Sequence, residues 1–284
     1  MDKREKLKVL LNNKELLVAP GVYDALSARI VQYSGFPVLY MTGYGVAAVS
    51  GYPDYGLLSM HEMLECVRRV SDATEIPLIA DADTGYGNAV NVYRTVKEYE
   101  KAGASAIQLE DQSWPKKCGF MQNKQVIAAD EMVDKIKAAV DARTDEKTIL
   151  LIRTDSFSTD GPEEAFRRAQ VYADAGADML FIEAPNIEYI KDIPSRFNKP
   201  CVLNMGFHIY DISISEIQDM GYRMVLFPGL LLIGGIAAYL KNCKTLMDEG
   251  KYLNPVDLPF TFDKFNSFLG IDVFRKLEDR YTRK

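Results

Sequence analysis

The chain is expected to fold as an α/β protein, a (β/α)8 TIM barrel carrying extra helices at its C-terminal end. Three observations lead there. Eight short runs rich in Val, Ile and Leu recur along 284 residues, each closed by a polar or Gly/Pro-containing turn. Segments with a helical period separate them. The runs are continuously apolar rather than alternating, as strands buried on both faces of a parallel sheet must be. One barrel domain over 1–284, with 250–284 as a helical extension, fits the length. An open, doubly wound sheet is the alternative, because a sequence does not display closure.

In chain order the runs are LLVAPG, VLYMTGYG, PLIADADTGYG, AIQLEDQ, TILLIRTD, MLFIEAPN, PCVLNMG and MVLFPG. Helical spacing is clearest over Met60–Asp72, Ala89–Ala102, Ala129–Arg143 and Pro162–Ala175. A repeated joint supports the alternation. YEKAGASAIQLED and YADAGADMLFIEA each close a helix on Ala-Gly-Ala and enter a strand ending in an acid. Glycine belongs at such a joint because it tolerates left-handed dihedrals. After Gly250, amphipathic material including LPFTFDKFNSFLGIDVFRKLEDRY is left to cap the barrel or pack on a neighbouring subunit.

Composition narrows the function classes. A net charge of −6 disfavours nucleic acid or an anionic membrane held by bulk electrostatics. The start, MDKREKLKVLLNNKELL, is charged where a signal peptide needs an apolar core. The most apolar stretch, Met224–Leu240, is interrupted by Pro228 and three glycines and reads as strand, loop and helix. Cys66, Cys118, Cys201 and Cys243 lie far apart with no CxxC pair, which suits a reducing cytoplasm and offers neither a zinc site nor a disulfide framework.

A barrel of this type does its chemistry at the C-terminal strand ends. Those ends supply Tyr40 and Thr42, then Asp81 and Asp83, then Glu110, Asp111 and Gln112, then Arg153 and Asp155, with Glu183 and Asn204 beyond. Asp81 and Asp83 stand two apart, so on a strand they face one side. With Glu110 they make an all-oxygen cluster suited to Mg2+ or Mn2+. Singly, such acids more often cap helices or pair with basic residues. Arg153 suits bidentate recognition of a carboxylate, although pairing with Glu183 or Asp155 is its plainer role. His61 opens a helix and His208 lies in a loop, so histidine chemistry has little support. Cys118 follows Lys116 and Lys117 and precedes Gly119. Neighbouring cations are expected to lower its thiol pKa, leaving nucleophile, general acid and general base open. The other three cysteines are expected to be buried and inert.

GVYDALSARI, YMTGYGVA, GYPDYG, DADTGYGN, LEDQSWPKKCGF, RTDS and IEAP together resemble the isocitrate lyase/phosphoenolpyruvate mutase superfamily over nearly the whole chain. The nearest branch is the methylisocitrate lyase and alkylmalate lyase group. The resemblance implies a barrel that is usually a homotetramer with a helix exchanged between subunits. It implies Mg2+ held by Asp81, Asp83 and Glu110, partly through water, with Asp54 a further acid nearby. Arg153 and the backbone of Thr42, Gly43, Tyr44 and Gly45 would hold the carboxylate of a small oxo or hydroxy acid, and Tyr40 would lie near its C2 oxygen. Glu183 and Asn204 would complete the substrate site. Retro-aldol cleavage would then use Cys118 as proton donor, with Lys116 and Lys117 solvating the anion.

Two departures from the lyase pattern concern the substrate tail. Phe120 stands where those enzymes typically carry histidine, and NMGFHIYDIS keeps Asn204 but lacks the Glu-Gly and Thr-Pro that usually follow. Each lost charged hydrogen bond to a distal carboxylate would cost about 1.5–3 kcal/mol. An alkylmalate- or oxaloacetate-like substrate, or a 2-hydroxy acid with an apolar tail facing Phe120, Phe207 and Tyr210, is expected over methylisocitrate. The phosphonate enzymes of the superfamily are the alternative, including the carboxyphosphonoenolpyruvate phosphonomutases that keep the cysteine loop. A non-catalytic metal and oxo-acid binder is the second.

Overall fold

The computed structural model describes residues 1–13, 15–183, 187–206, 211–251 and 260–282. Phe207, His208 and Tyr210 lie outside this set. Two compact units are present, Met1–Gly234 and Gly235–Lys284, each treated by itself. In the first, β1 (Leu17–Val22), β2 (Leu39–Met41), β3 (Leu78–Asp81), β4 (Ala106–Glu110), β5 (Ile149–Thr154), β6 (Met179–Ile182), β7 (Cys201–Asn204) and β8 (Met224–Phe227) pair in parallel, in sequence order. β8 returns to β1, with Leu17 opposite Met224 and Pro20 opposite Phe227. The sheet is closed and the open-sheet alternative is excluded.

The closing joint is tight. A Cβ on Gly21 would stand 2.4 Å from the Pro228 carbonyl oxygen, so only glycine lets the loop after β8 cross the end of β1. The helices begin and end where the local chemistry directs. Ser59 and Glu62 form a reciprocal capping box at the start of Met60–Ala73, and Asn88 and Asn91 do the same for Ala89–Lys101. Pro162 occupies the first turn of Pro162–Ala175, which stops on left-handed Gly176.

Strand alternation divides the buried residues between two apolar bodies. Outward-facing Leu39, Ala80, Ile107, Leu109, Leu150, Ile152 and Leu180 pack under the helices. Inward-facing Leu17, Ala19, Tyr40, Ile79, Ala106, Ile149, Leu151, Met179, Phe181, Val202 and Met224 fill the barrel. Leu7, from the helix Lys3–Asn12, is fully buried in the same inner body. That helix covers the N-terminal mouth, where Lys3 Nζ donates to the Ser71 carbonyl at 2.6 Å and Arg4 Nη2 to the Glu100 carbonyl at 2.5 Å. The bottom of the barrel is thus sealed, and polar inward-facing side chains appear only toward the top.

The apolar stretch Met224–Leu240 is strand, turn and helix, as its interruptions predict. Its helix, Leu230–Glu249, crosses the unit boundary and, by length and composition alone, is long and apolar enough to span a bilayer. The second unit also holds helices Phe262–Phe268 and Ile271–Tyr281. Phe260, Phe265 and Phe268 cluster there, with ring centroids 5.3–6.1 Å apart.

Candidate active site

Inward parity decides which strand-end residues meet. Asp81 faces Gln108 in register, Glu110 faces Arg153 and Arg153 faces Phe181. Above them lies a cavity of about 440 Å³. Tyr40, Thr42, Tyr44, Asp54, Asp81, Glu110, Lys116, Cys118, Arg153 and Asn204 form its polar side. Phe120, Phe181, Met205, Phe227, Pro228 and Ile233 form an apolar one. Gly43, Asp83 and Glu183 stand behind the first wall rather than on the cavity surface.

Asp81 is the most heavily bonded acid. Its Oδ2 accepts from Tyr40 OH and Gly43 N at 3.2 Å, and its Oδ1 from Asp83 N at 3.0 Å and Gln108 Nε2 at 3.2 Å. Burial and the adjoining Asp81 charge hold Tyr40 well above an ordinary phenol, so it remains protonated. Asp83 does aim toward Asp81, but not through strand alternation. β3 ends at Asp81, and Asp83 has φ +49°, so a left-handed residue turns its carboxylate back. A Cβ on Gly43 would meet both carboxylates, at 2.9 Å from Asp81 Oδ2 and 3.3 Å from Asp83 Oδ1. The substrate-holding amides expected between Thr42 and Gly45 are partly engaged. Thr42 N donates to Val22 O, Gly43 N to Asp81, and Gly45 N to Thr42 Oγ1.

Lys116 is buried between acids, with Nζ 2.6 Å from Asp54 Oδ1 and 2.8 Å from Asp83 Oδ1. Arg153 lies against Asp155 in a two-point pair at 2.8 Å each, with Glu183 at 3.4 Å and Glu110 at 3.5 Å. Its guanidinium also sits 4.8 Å above the Phe181 ring centroid. The plainer pairing role of Arg153 is therefore present, through Nε and Nη2. Asn204 Nδ2 donates to Glu183 Oε2 at 3.2 Å. Negative charge exceeds positive in this buried volume. Desolvation raises Asp83 to about 6, and desolvation with the charges of Asp155 and Asp81 raises Glu110 well above a usual carboxylate. Glu110 Oε1 is buried without a hydrogen-bond partner. An all-oxygen donor set with surplus negative charge fits a hard divalent cation. Among the described residues no three acids already converge on one point, so such an ion would be reached partly through water.

Asp111, beside Glu110, has opposite parity and a structural task. Thr154 Oγ1, Tyr172 OH, Arg168 Nη1 and the Asp155 amide all donate to it, at 2.7–3.3 Å.

The cysteine loop departs from expectation. Cys118 is 8 % exposed, and burial pushes its thiol up to about 11 rather than down. The two preceding lysines do not offset this. Lys116 is committed to Asp54 and Asp83, while Lys117 donates to the Asn123 carbonyl at 2.9 Å and lies over the Tyr55 ring. The group is a thiol, not a thiolate. Cys66 and Cys201 are buried as expected, but Cys243 is exposed. Phe120 closes the loop tip over Gly206, where a Cβ would come within 2.5 Å of its ring. Two residues escaped the sequence reading. Gln108, apolar in context, holds Asp81 and Tyr40, and Lys124 ties the loop to Asp155.

The phosphoenolpyruvate phosphomutase family model matches residues 7–247. A 2,3-dimethylmalate lyase of Eubacterium barkeri is 40% identical over 99% of both chains. The chain belongs to the PEP mutase/isocitrate lyase superfamily. Within that superfamily it is an enzyme of the carbon–carbon lyase type. A 2-methylisocitrate lyase of Salmonella typhimurium is 45% identical, over 99% of this chain and 97% of that one. Among solved structures, oxaloacetate acetylhydrolase with 3,3-difluorooxalacetate superposes with TM-score 0.94 at 33% identity, covering 100% of this chain and 98% of the other. Phosphonopyruvate hydrolase with oxalate and Mg2+ superposes with TM-score 0.90 at 30% identity, over 100% of both chains.

Proposed function

We propose that the protein cleaves the C2–C3 bond of a 2-hydroxy acid of the 2-alkylmalate type, releasing an oxo acid such as pyruvate and a carboxylate. The observation that carries this reading is the shared cavity. A protonated thiol, a guanidinium and an acid cluster open onto one volume whose far wall is apolar.

Bound Mg2+ (or Mn2+), held by Asp81, Asp83 and Glu110 with Asp54 nearby, would supply positive charge at the C2 oxygen and carboxylate. Arg153 would orient that carboxylate, with Thr42, Gly43 and Tyr44 beside it, and Glu183 and Asn204 would fix the guanidinium from behind. Tyr40, kept as a phenol, would donate a hydrogen bond to the C2 oxygen. The C2 hydroxyl proton would pass to the acid cluster, where Glu110 Oε1 has acceptor capacity free of other hydrogen bonds. As the C2–C3 bond breaks, its electron pair stays on C3 as an enolate-like carboxylate. Cys118 would give its proton to that carbon, and the hydroxyl proton would later restore the thiol. Lys116 and Lys117 would balance the transient negative charge. Phe120, Met205, Phe227 and Ile233 offer an alkyl tail an apolar surface and a second distal carboxylate no cation, which favours alkylmalates over methylisocitrate. The same reading carries a homotetramer in the cytoplasm, supported by the exposed Val273, Phe274, Leu277 and Tyr281 on Ile271–Tyr281.

The test is oxo-acid release with Mg2+ across oxaloacetate, 2-methylmalate, 2,3-dimethylmalate, methylisocitrate and phosphonopyruvate. Cysteine-dependent cleavage of an alkylmalate is expected. Consumption of phosphonopyruvate alone would move the protein to the phosphonate branch. Hydrolysis of oxaloacetate alone would favour the reading suggested by the oxaloacetate acetylhydrolase likeness.

A further inference from the structure

The Cys118 loop leaves the barrel after β4 and comes back where Gln112 and Val126 form an antiparallel bridge. On the returning arm, Lys124 turns inward instead of toward water, and its side chain is 2% exposed. Its Nζ donates to the Gly119 carbonyl at 2.5 Å and to Asp155 Oδ1 at 2.7 Å. Asp155, whose side chain is 0% exposed, also receives Arg153 Nε and Nη2 at 2.8 Å each. One buried carboxylate therefore holds the lysine of the loop and the arginine of the barrel. The loop and the arginine also touch directly, since a Cβ on Gly119 would stand 2.1 Å from Arg153 Nη2.

A buried ammonium is costly unless every bond it makes is well placed. A lysine needed only to stabilise the loop could keep its head in water, as long cationic side chains usually do. This one instead spends its charge on the carbonyl next to Cys118 and on the anion that orients Arg153. We propose that Lys124 is a positioning residue. Through Asp155 it seats the Cys118–Gly119 segment on Arg153, so that thiol and guanidinium are set against each other by one shared anion. The inference rests on the roles given above to Cys118 and Arg153, and its primary test needs no substrate.

The variants are Lys124→Met, which keeps the length without the charge, and Lys124→Arg. The readout is the iodoacetamide alkylation rate of Cys118 at fixed pH, resolved peptide by peptide, with exposed Cys243 as internal reference and buried Cys66 and Cys201 as reporters of global opening. Lys124→Met should speed Cys118 alkylation about tenfold or more, the factor expected when an opening equilibrium loses a charged hydrogen bond. Cys66, Cys201 and Cys243 should keep their rates, and Lys124→Arg should recover much of the protection. An unchanged Cys118 rate overturns the proposal, and so does parallel acceleration at Cys66 and Cys201. Should Lys124→Met fail to fold, Lys124→Gln carries the same comparison. With a substrate from the panel, Lys124→Met should lower kcat more than it alters KM and add nothing further to Cys118→Ser. Multiplicative effects would again overturn the proposal. Failure to find a substrate would count against the proposed lyase reaction and leave the alkylation result to decide Lys124.

Discussion

At the scale of single residues, the main reversal concerns Cys118. Sequence proximity to two lysines suggested a thiolate, but proximity along a chain does not say which carboxylates the ammonium groups will meet first. Asp54 and Asp83 claim Lys116, and the thiol stays protonated up to about 11. For a proton donor the sign is favourable. The acid form is the working form, so activity limited by Cys118 should persist through neutral and mildly alkaline pH and fall only as pH rises toward 11, which a pH–kcat profile would check. Cys118→Ser should cut kcat by about 100-fold or more, the usual contribution of a positioned acid, while oxalate binding measured by calorimetry stays near wild type. The acids that read as a cluster are a cluster. Yet only coordinates show that Asp83 reaches it through a left-handed turn and that Asp111, its equal in sequence, faces the opposite way.

Individual strands and helices were the most legible level, because alternation of apolar runs with helical periods follows directly from burial. All eight runs became strands, and the four clearest helical segments match to within a residue at their ends. What a continuously apolar strand hides is its parity. Ile107 and Leu109 differ little in kind from Ala106, yet they face the helices while Ala106 faces the interior. The polar inward residues at the top share the parity of the apolar ones below, which is how Asp81, Glu110 and Arg153 come together. Asp111 makes the opposite choice and staples β4 and β5 to the helix Pro162–Ala175. Its replacement by alanine leaves Arg168 without its buried partner, and urea unfolding should report a loss of about 3–5 kcal/mol. Gly119→Ala should behave differently. Its Cβ would displace Arg153, so turnover should collapse while the melting temperature changes little.

For the whole molecule, the excess of buried negative charge is the property that local reading could not quantify. It predicts that Mg2+ raises the melting temperature by binding the native state alone, and that Asp83→Ala removes most of that gain in a thermal shift assay. Closure of the ring, which no sequence pattern displays, has a further consequence for how the enzyme could change. Asp81, Glu110 and Arg153 stand on β3, β4 and β5, whereas Met205, Phe227, Pro228 and Ile233 follow β7 and β8 on the far arc. Reactivity and tail selection thus occupy separate, contiguous stretches of the gene. A recombination event that exchanged only the last third of the barrel would import a new preference while inheriting the bond-breaking apparatus unaltered.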